Sequence, residues 1–136
     1  MQFQMVPDGA ETLILGYPTE LVLRDSPDET LKNLLESTVD FSSPLMRRGV
    51  ISQKNQIKNL LIIDSGVYGG NSGGPVLVVS YTPTGPMYLI AGIVTQFVPV
   101  KTRVEAEIGV TNSVMVYSGY TVAEPIDYAL ELMRQF

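Results

Sequence analysis

The chain has 136 residues, a length that fits one domain with a buried core, and 45 % apolar against 17 % charged residues is a globular balance. Fourteen acidic against nine basic residues leave a net charge of −5, which excludes a general nucleic-acid surface, because that needs clustered Lys and Arg. Without cysteine or histidine there is neither a disulfide nor the usual donor set of a zinc centre, so no metal and no cofactor are expected.

The N-terminus, MQFQMVPDGAE, has no basic start and no apolar run, so it does not read as a signal peptide. No apolar stretch nears the roughly 18 residues that a membrane span needs. Taken as complete, the chain fits a reducing, cytoplasmic compartment with no membrane contact. The first ten residues read as a loose lead-in.

Thr12 to Tyr17 is an apolar strand that stops at Pro18. Ser26-Pro27-Asp28-Glu29 has the N-cap, N1 proline and acidic partner of a capping box, and Leu31, Leu34 and Leu35 supply one face. That spacing predicts a short helix near residues 27–37. Strands follow over Leu45–Gln53 and Leu60–Ile63, then over Pro75–Tyr81, which proline opens where a sheet tolerates it. Tyr81 to Pro86 reads as a hairpin loop before a long strand, Met87–Val98. Pro99 to Thr111 reads as a second loose linker, and Ser113–Ala123 as the last strand. Pro125 opens a packing helix with Ile126, Ala129, Leu130, Leu132 and Met133 at near-helical spacing. Arg47-Arg48, the only tight basic pair, reads as a solvated strand or loop edge. Many short strands between Gly, Pro, Asp and Asn clusters predict a mainly β sandwich or small barrel.

The centre of the chain reads Gly66-Val67-Tyr68-Gly69-Gly70-Asn71-Ser72-Gly73-Gly74-Pro75. Gly70 to Gly74 matches Gly-x-Ser-x-Gly, the nucleophile elbow of α/β-hydrolases, but that elbow must open a helix straight after its serine. Here Gly73-Gly74-Pro75-Val76-Leu77 reads as a turn and then a strand, and the strand–helix alternation of such enzymes is missing. A plain Gly-rich hairpin turn is the other reading.

The hexapeptide Gly70-Asn71-Ser72-Gly73-Gly74-Pro75 resembles the active-site serine segment of the chymotrypsin/trypsin-like serine proteases. Its asparagine form is similar to that of the bacterial, HtrA-like peptidases. Gly16-Tyr17-Pro18 resembles the first strand of that family's second barrel, and Ile63-Asp64-Ser65 leads into the serine loop as an acidic residue does there. Gly92-Ile93-Val94-Thr95 is similar to the strand lining the specificity pocket. Ser118 to Asp127 resembles the last strand and the start of the closing helix.

The resemblance implies a six-stranded antiparallel Greek-key barrel, one half of the two-barrel fold, with a C-terminal helix and a short inserted one. It implies Ser72 as nucleophile and the N–H groups of Gly70 and Ser72 as the oxyanion hole. An oxyanion hole needs two backbone donors converging about 3 Å from the developing charge. Gly66 and Val67, Thr95, Gln96 and Phe97, and Gly119 would wall the specificity pocket. Gly66 stands where a trypsin has its acid, so a modest apolar side chain is expected there rather than Lys or Arg, and Phe97 would narrow the pocket.

In that family the base histidine and its aspartate come from the first barrel, which residues 1–136, a single domain, do not include. Serine without a base is a weak nucleophile. Lys54, Lys58 and Lys101 fall in segments that read as exposed turns, so none is expected to replace it. Two functions stay open. One is the serine-bearing half of an endopeptidase, hydrolysing peptide bonds through an acyl-enzyme only when joined to the His/Asp barrel. The other is an inactive barrel that binds peptides or partners. In either case an apolar face is expected to be covered by the first barrel, another chain or a second copy.

Overall fold

The computed structural model describes residues 1–17, 40, 42–66, 70–105 and 111–136. The helix expected near residues 27–37 lies outside them. Six strands are described: β1 (Glu11–Gly16), β2 (Leu45–Asn55), β3 (Leu60–Asp64), β4 (Pro75–Thr82), β5 (Gly85–Glu105) and β6 (Thr111–Pro125). They are followed by a helix, α1 (Ile126–Met133). The protein is mainly β, and every strand pairing in its one sheet is antiparallel.

The hydrogen-bonded order runs β1-β2-β3-β6-β5-β4 and closes on itself where Thr12–Ile14 of β1 pair with Val76–Val78 of β4. The core follows from the two-residue period of strands. Leu61 and Ile63 of β3, and Val76 and Val78 of β4, point inward and are buried while their neighbours are less so. Ile14, Ile51, Ala91, Val94 and Ala123 complete the same cluster.

Three segments differ from the sequence reading. Residues 1–10 are not a loose lead-in: a 3-10 turn over Phe3–Met5 drives Phe3 and Val6 into the core. The Phe3 N–H also donates to Asp127 Oδ2 of α1 at 2.8 Å, so the two ends of the described chain are tied together. The stretch after Pro99 is not a linker, because β5 continues to Glu105 and β6 begins at Thr111 opposite it. The expected six-residue hairpin loop shrinks to the Pro83-Thr84 turn, with Thr82 paired to Gly85. In each case burial or cross-strand pairing overrode a turn-rich composition.

The closing helix packs more lightly than its pattern predicted. Ile126 and Ala129 are half-buried against β5 and β6, but Leu130, Leu132 and Met133 are exposed. Among the described residues no helix is long and apolar enough to cross a membrane.

Outside the ring, β1, β2, β4 and β5 frame a hollow of about 300 Å³ whose wall includes Leu13, Met46, Val79, Tyr81 and Tyr88. Glu11 sits there between the Tyr81 hydroxyl, 2.9 Å away, and the Arg48 guanidinium. The Tyr81 bond first, and Arg48 second, hold the Glu11 carboxyl below the usual glutamate range.

Candidate active-site turn

Gly70 to Gly74 form a turn between β3 and β4, and no helix follows Ser72, so the elbow geometry is absent. Gly70 and Gly73 take φ of +92° and +84°, backbone that a side chain resists, which is why glycine stands at both. The turn is fastened to β5: the Gly73 N–H donates to Val94 O at 2.8 Å, and the Val94 N–H to Gly74 O at 2.9 Å. A third bond, Gly74 N–H to Asn71 O at 3.0 Å, closes the turn on itself.

Its other side lies against the end of β1. A Cβ on Gly74 would stand 2.1 Å from Leu15 O, and one on Gly16 would stand 2.1 Å from Asn71 Oδ1. Glycine is therefore required at Gly16 and Gly74 by space. Asn71 is 2 % exposed, and its Nδ2 has no hydrogen-bond partner among the described residues. Burial of such a group without a partner costs about 1–3 kcal/mol, so the turn is held together by its backbone bonds and by packing on β1.

Ser72 stays exposed beside a cleft of about 450 Å³, lined also by Leu15, Gly16, Tyr17, Pro44, Gly70 and Pro75. Among the described residues, neither the Gly70 nor the Ser72 N–H donates to another group, and the Ser72 hydroxyl has no partner. Among the described residues, two amides and a hydroxyl are thus left unengaged beside a glycine-lined cleft.

The expected specificity-pocket residues lie on neighbouring segments. Ser65, next to Gly66, donates its N–H to Gly119 O at 3.0 Å, and Thr121 Oγ1 donates to Ser65 O at 2.6 Å. Phe97 is registered opposite Thr121, and Thr95 follows Val94, which holds the serine turn. Irregular register at Val94/Gln96 and again at Phe97/Pro99 re-aims β5 at this point. Thr95, Gln96 and Phe97 are exposed; the Phe97 ring packs on Tyr117 with centroids 4.6 Å apart. Val67 lies outside the described residues.

Arg47 and the cleft-lining role of Gly16-Tyr17 are what the sequence reading missed. Arg47 is half-buried on β2 and donates from Nη1 to Gly66 O at 2.7 Å, whereas Arg48 faces out. The alternation Leu45, Arg47, Gly49, Ile51 was the available signal, since it puts Arg47 on the inward face. The lysines also need correcting: Lys54 is on β2 near the Phe3 ring, and Lys101 is on β5, not in a turn. Among the described residues none of the three lysines bonds to Ser72. Neither a scan against protein-family models nor a search of curated proteins finds a match for this chain.

Proposed function

We propose that these residues form the nucleophile-bearing half of a trypsin-like serine endopeptidase, a six-stranded Greek-key barrel of that fold's second-half type. The observation that carries this reading is the Gly70–Pro75 turn, where the Gly70 and Ser72 N–H groups are unengaged among the described residues, beside an exposed Ser72 hydroxyl. Ser72 Oγ attacks the carbonyl carbon of a peptide, and the two amides hold the charge gathering on its oxygen. The proton on Oγ must leave as the C–O bond forms, and 136 residues without histidine hold no imidazole to take it. The base comes from a surface docked over the cleft, whose wall of Leu15, Gly16, Tyr17, Pro44 and Pro75 is apolar enough to receive it.

The specificity pocket spans Gly66, Thr95, Gln96, Phe97 and Gly119. Arg47 beside Gly66 makes its Gly66 end unfavourable for Lys or Arg side chains. The missing histidine also favours a second reading, in which the turn and cleft bind a peptide without cleaving it.

Exogenous imidazole separates the two. A fluorophosphonate labels activated serines, and added imidazole can act as the absent base. Labelling of Ser72, read by mass spectrometry, should rise with imidazole concentration and vanish in Ser72→Ala. Labelling no faster than at Ser42 or Ser80, at any imidazole concentration, refutes the catalytic reading and leaves the binding one.

A further inference from the structure

The outer wall of the ring is apolar where water would favour polar side chains. An antiparallel sheet with water on one face alternates apolar-in and polar-out, whereas strands covered on both faces read as continuous apolar runs. β1, β4 and the first half of β5 contain such runs, at residues 12–15, 76–79 and 87–90. Ile14, Val76 and Val78 fill the core, so Leu13, Leu77 and Val79 point outward, and Leu13 lies outside the core cluster. On β2, Ile51 is in the core, which turns Met46, Arg48 and Val50 outward. Along residues 11–15, 46–50, 77–81 and 86–90, Glu11 and Arg48 are therefore the only charged side chains on the outer face; the rest are apolar or aromatic. Tyr81 and Tyr88 are 71 % and 54 % exposed, so the described residues leave this face uncovered. A contiguous apolar area of this kind marks an interaction surface.

We propose that two copies of the chain pair through this face about a twofold axis, with Arg48 of each copy against Glu11 of the other. The pairing goes beyond the acyl-transfer reading of Ser72 and does not depend on it. Charge selects the occupant. The face carries one acid and one base, already joined to each other, while the whole chain carries −5. It has no net charge with which to recruit an acidic or a basic partner. A twofold axis brings residue i against j and j against i, so a surface with one charge of each sign is its own complement.

Strand register supports the same axis independently. Val79 lies opposite Tyr88 on β5, Glu11 lies opposite Val50 on β2, and Thr12 opposite Val78 sets β1 against β4. With strands ~4.8 Å apart and outward residues ~6.7 Å apart along them, these registers lay the face out as a lattice. On that lattice, the axis that sets Glu11 against Arg48 of the second copy also lands Met46 of that copy among Val79, Tyr81, Pro86 and Tyr88. Those four residues wall one end of the hollow of about 300 Å³. A thioether from one copy thus enters a recess flanked by two aromatic rings on the other, a contact that methionine favours. The strands of the two copies then cross at about 70°, nearer to orthogonal than to aligned sheet packing.

Methionine oxidation reads this pairing in the parent chain. Met46 is 61 % exposed on the face, and Met133 is 70 % exposed on α1. As concentration rises from about 5 µM to about 500 µM, sedimentation should pass from monomer to dimer. Peroxide oxidation of Met46 should slow about threefold or more over the same range, with Met133 unchanged. Glu11→Arg and Arg48→Glu should each stay monomeric, because like charges then meet across the axis, and an equimolar mixture of the two should dimerise. Both variants lack the pair within the chain, alone and when mixed, so only pairing between chains produces that recovery. Tyr88→Lys should stay monomeric with the circular dichroism of the parent.

A chain that is still monomeric at about 500 µM overturns the proposal. So does a dimer that protects Met133 and not Met46, which places the contact on α1, or a charge-reversal mixture that stays monomeric although both variants are folded. Binding of the parent to phosphatidylcholine vesicles as a monomer, with Met46 protected there, also overturns it. Where a variant does not fold, protection of Met46 in the parent still decides.

Discussion

Two neighbouring glycines in the serine turn are required for different reasons, and alanine at each should expose the difference. At Gly74 an added Cβ would lie 2.1 Å from Leu15 O and 2.9 Å from Asn71 O. Ordinary contact begins at 3.4 Å, so 3.4 − 2.1 leaves a shortfall of about 1.3 Å. Both obstacles are backbone, so no side chain can swing aside; the turn must lift off β1 and strain its bonds to Val94. Overpacking of this kind costs about 1–3 kcal/mol, and a lost backbone bond adds ~1 kcal/mol.

At Gly73 nothing lies within 4 Å of the added Cβ, and only the φ of +84° opposes it. That conformation costs a non-glycine residue about 1–2 kcal/mol. For a chain of 136 residues each kcal/mol is worth roughly 3–5 °C in Tm. Gly74→Ala should therefore melt about 10 °C below the parent, and Gly73→Ala about 5 °C below, by circular dichroism. Imidazole-dependent labelling of Ser72 should survive in Gly73→Ala and fall steeply in Gly74→Ala. A Gly74→Ala protein as stable as Gly73→Ala, or more so, would refute the packing of the turn on β1.

Ser72→Ala removes an exposed hydroxyl with no partner among the described residues, so unfolding in urea should stay within about 0.5 kcal/mol of the parent while labelling is lost. Leu61→Ala empties a position that is 0 % exposed at the centre of the core and should cost about 2–5 kcal/mol by the same assay. Glu11 bears on acid stability. Its carboxyl titrates below the ordinary 4.5, so the stability it lends is present above that pH and is lost as pH falls through the lower folded value. Glu11→Gln should flatten the acid limb of the stability curve below about pH 4.5 and leave its shape at neutral pH unchanged. Parallel curves for parent and variant would rule that contribution out.

Local pattern was enough for much of the fold. The apolar runs at Thr12, Leu60 and Pro75 became strands within one residue of their expected ends, because alternation and β-branched content act over short range, whereas the Met87 run continued well past Val98. The hexapeptide likewise marked the turn, since the φ values at Gly70 and Gly73 demand glycine there whatever surrounds them. Burial of Phe3 and Val6, the ribbon beyond Pro99 and the light packing of α1 were not legible. Each depends on what another segment places alongside, as when Asp127 accepts the Phe3 N–H across the chain.

The amino-acid order by itself determined that this is a β protein with a serine in a glycine-rich turn and no histidine in its 136 residues. Only the tertiary structure decided that Leu15 O and Asn71 close on Gly74 and Gly16, that Arg47 meets Gly66, and that β1, β2, β4 and β5 join their outward apolar residues in one face. The physical reason is range. Backbone conformation is chosen by neighbours a few residues away, whereas close approach and a shared face exist only once distant strands have taken their register.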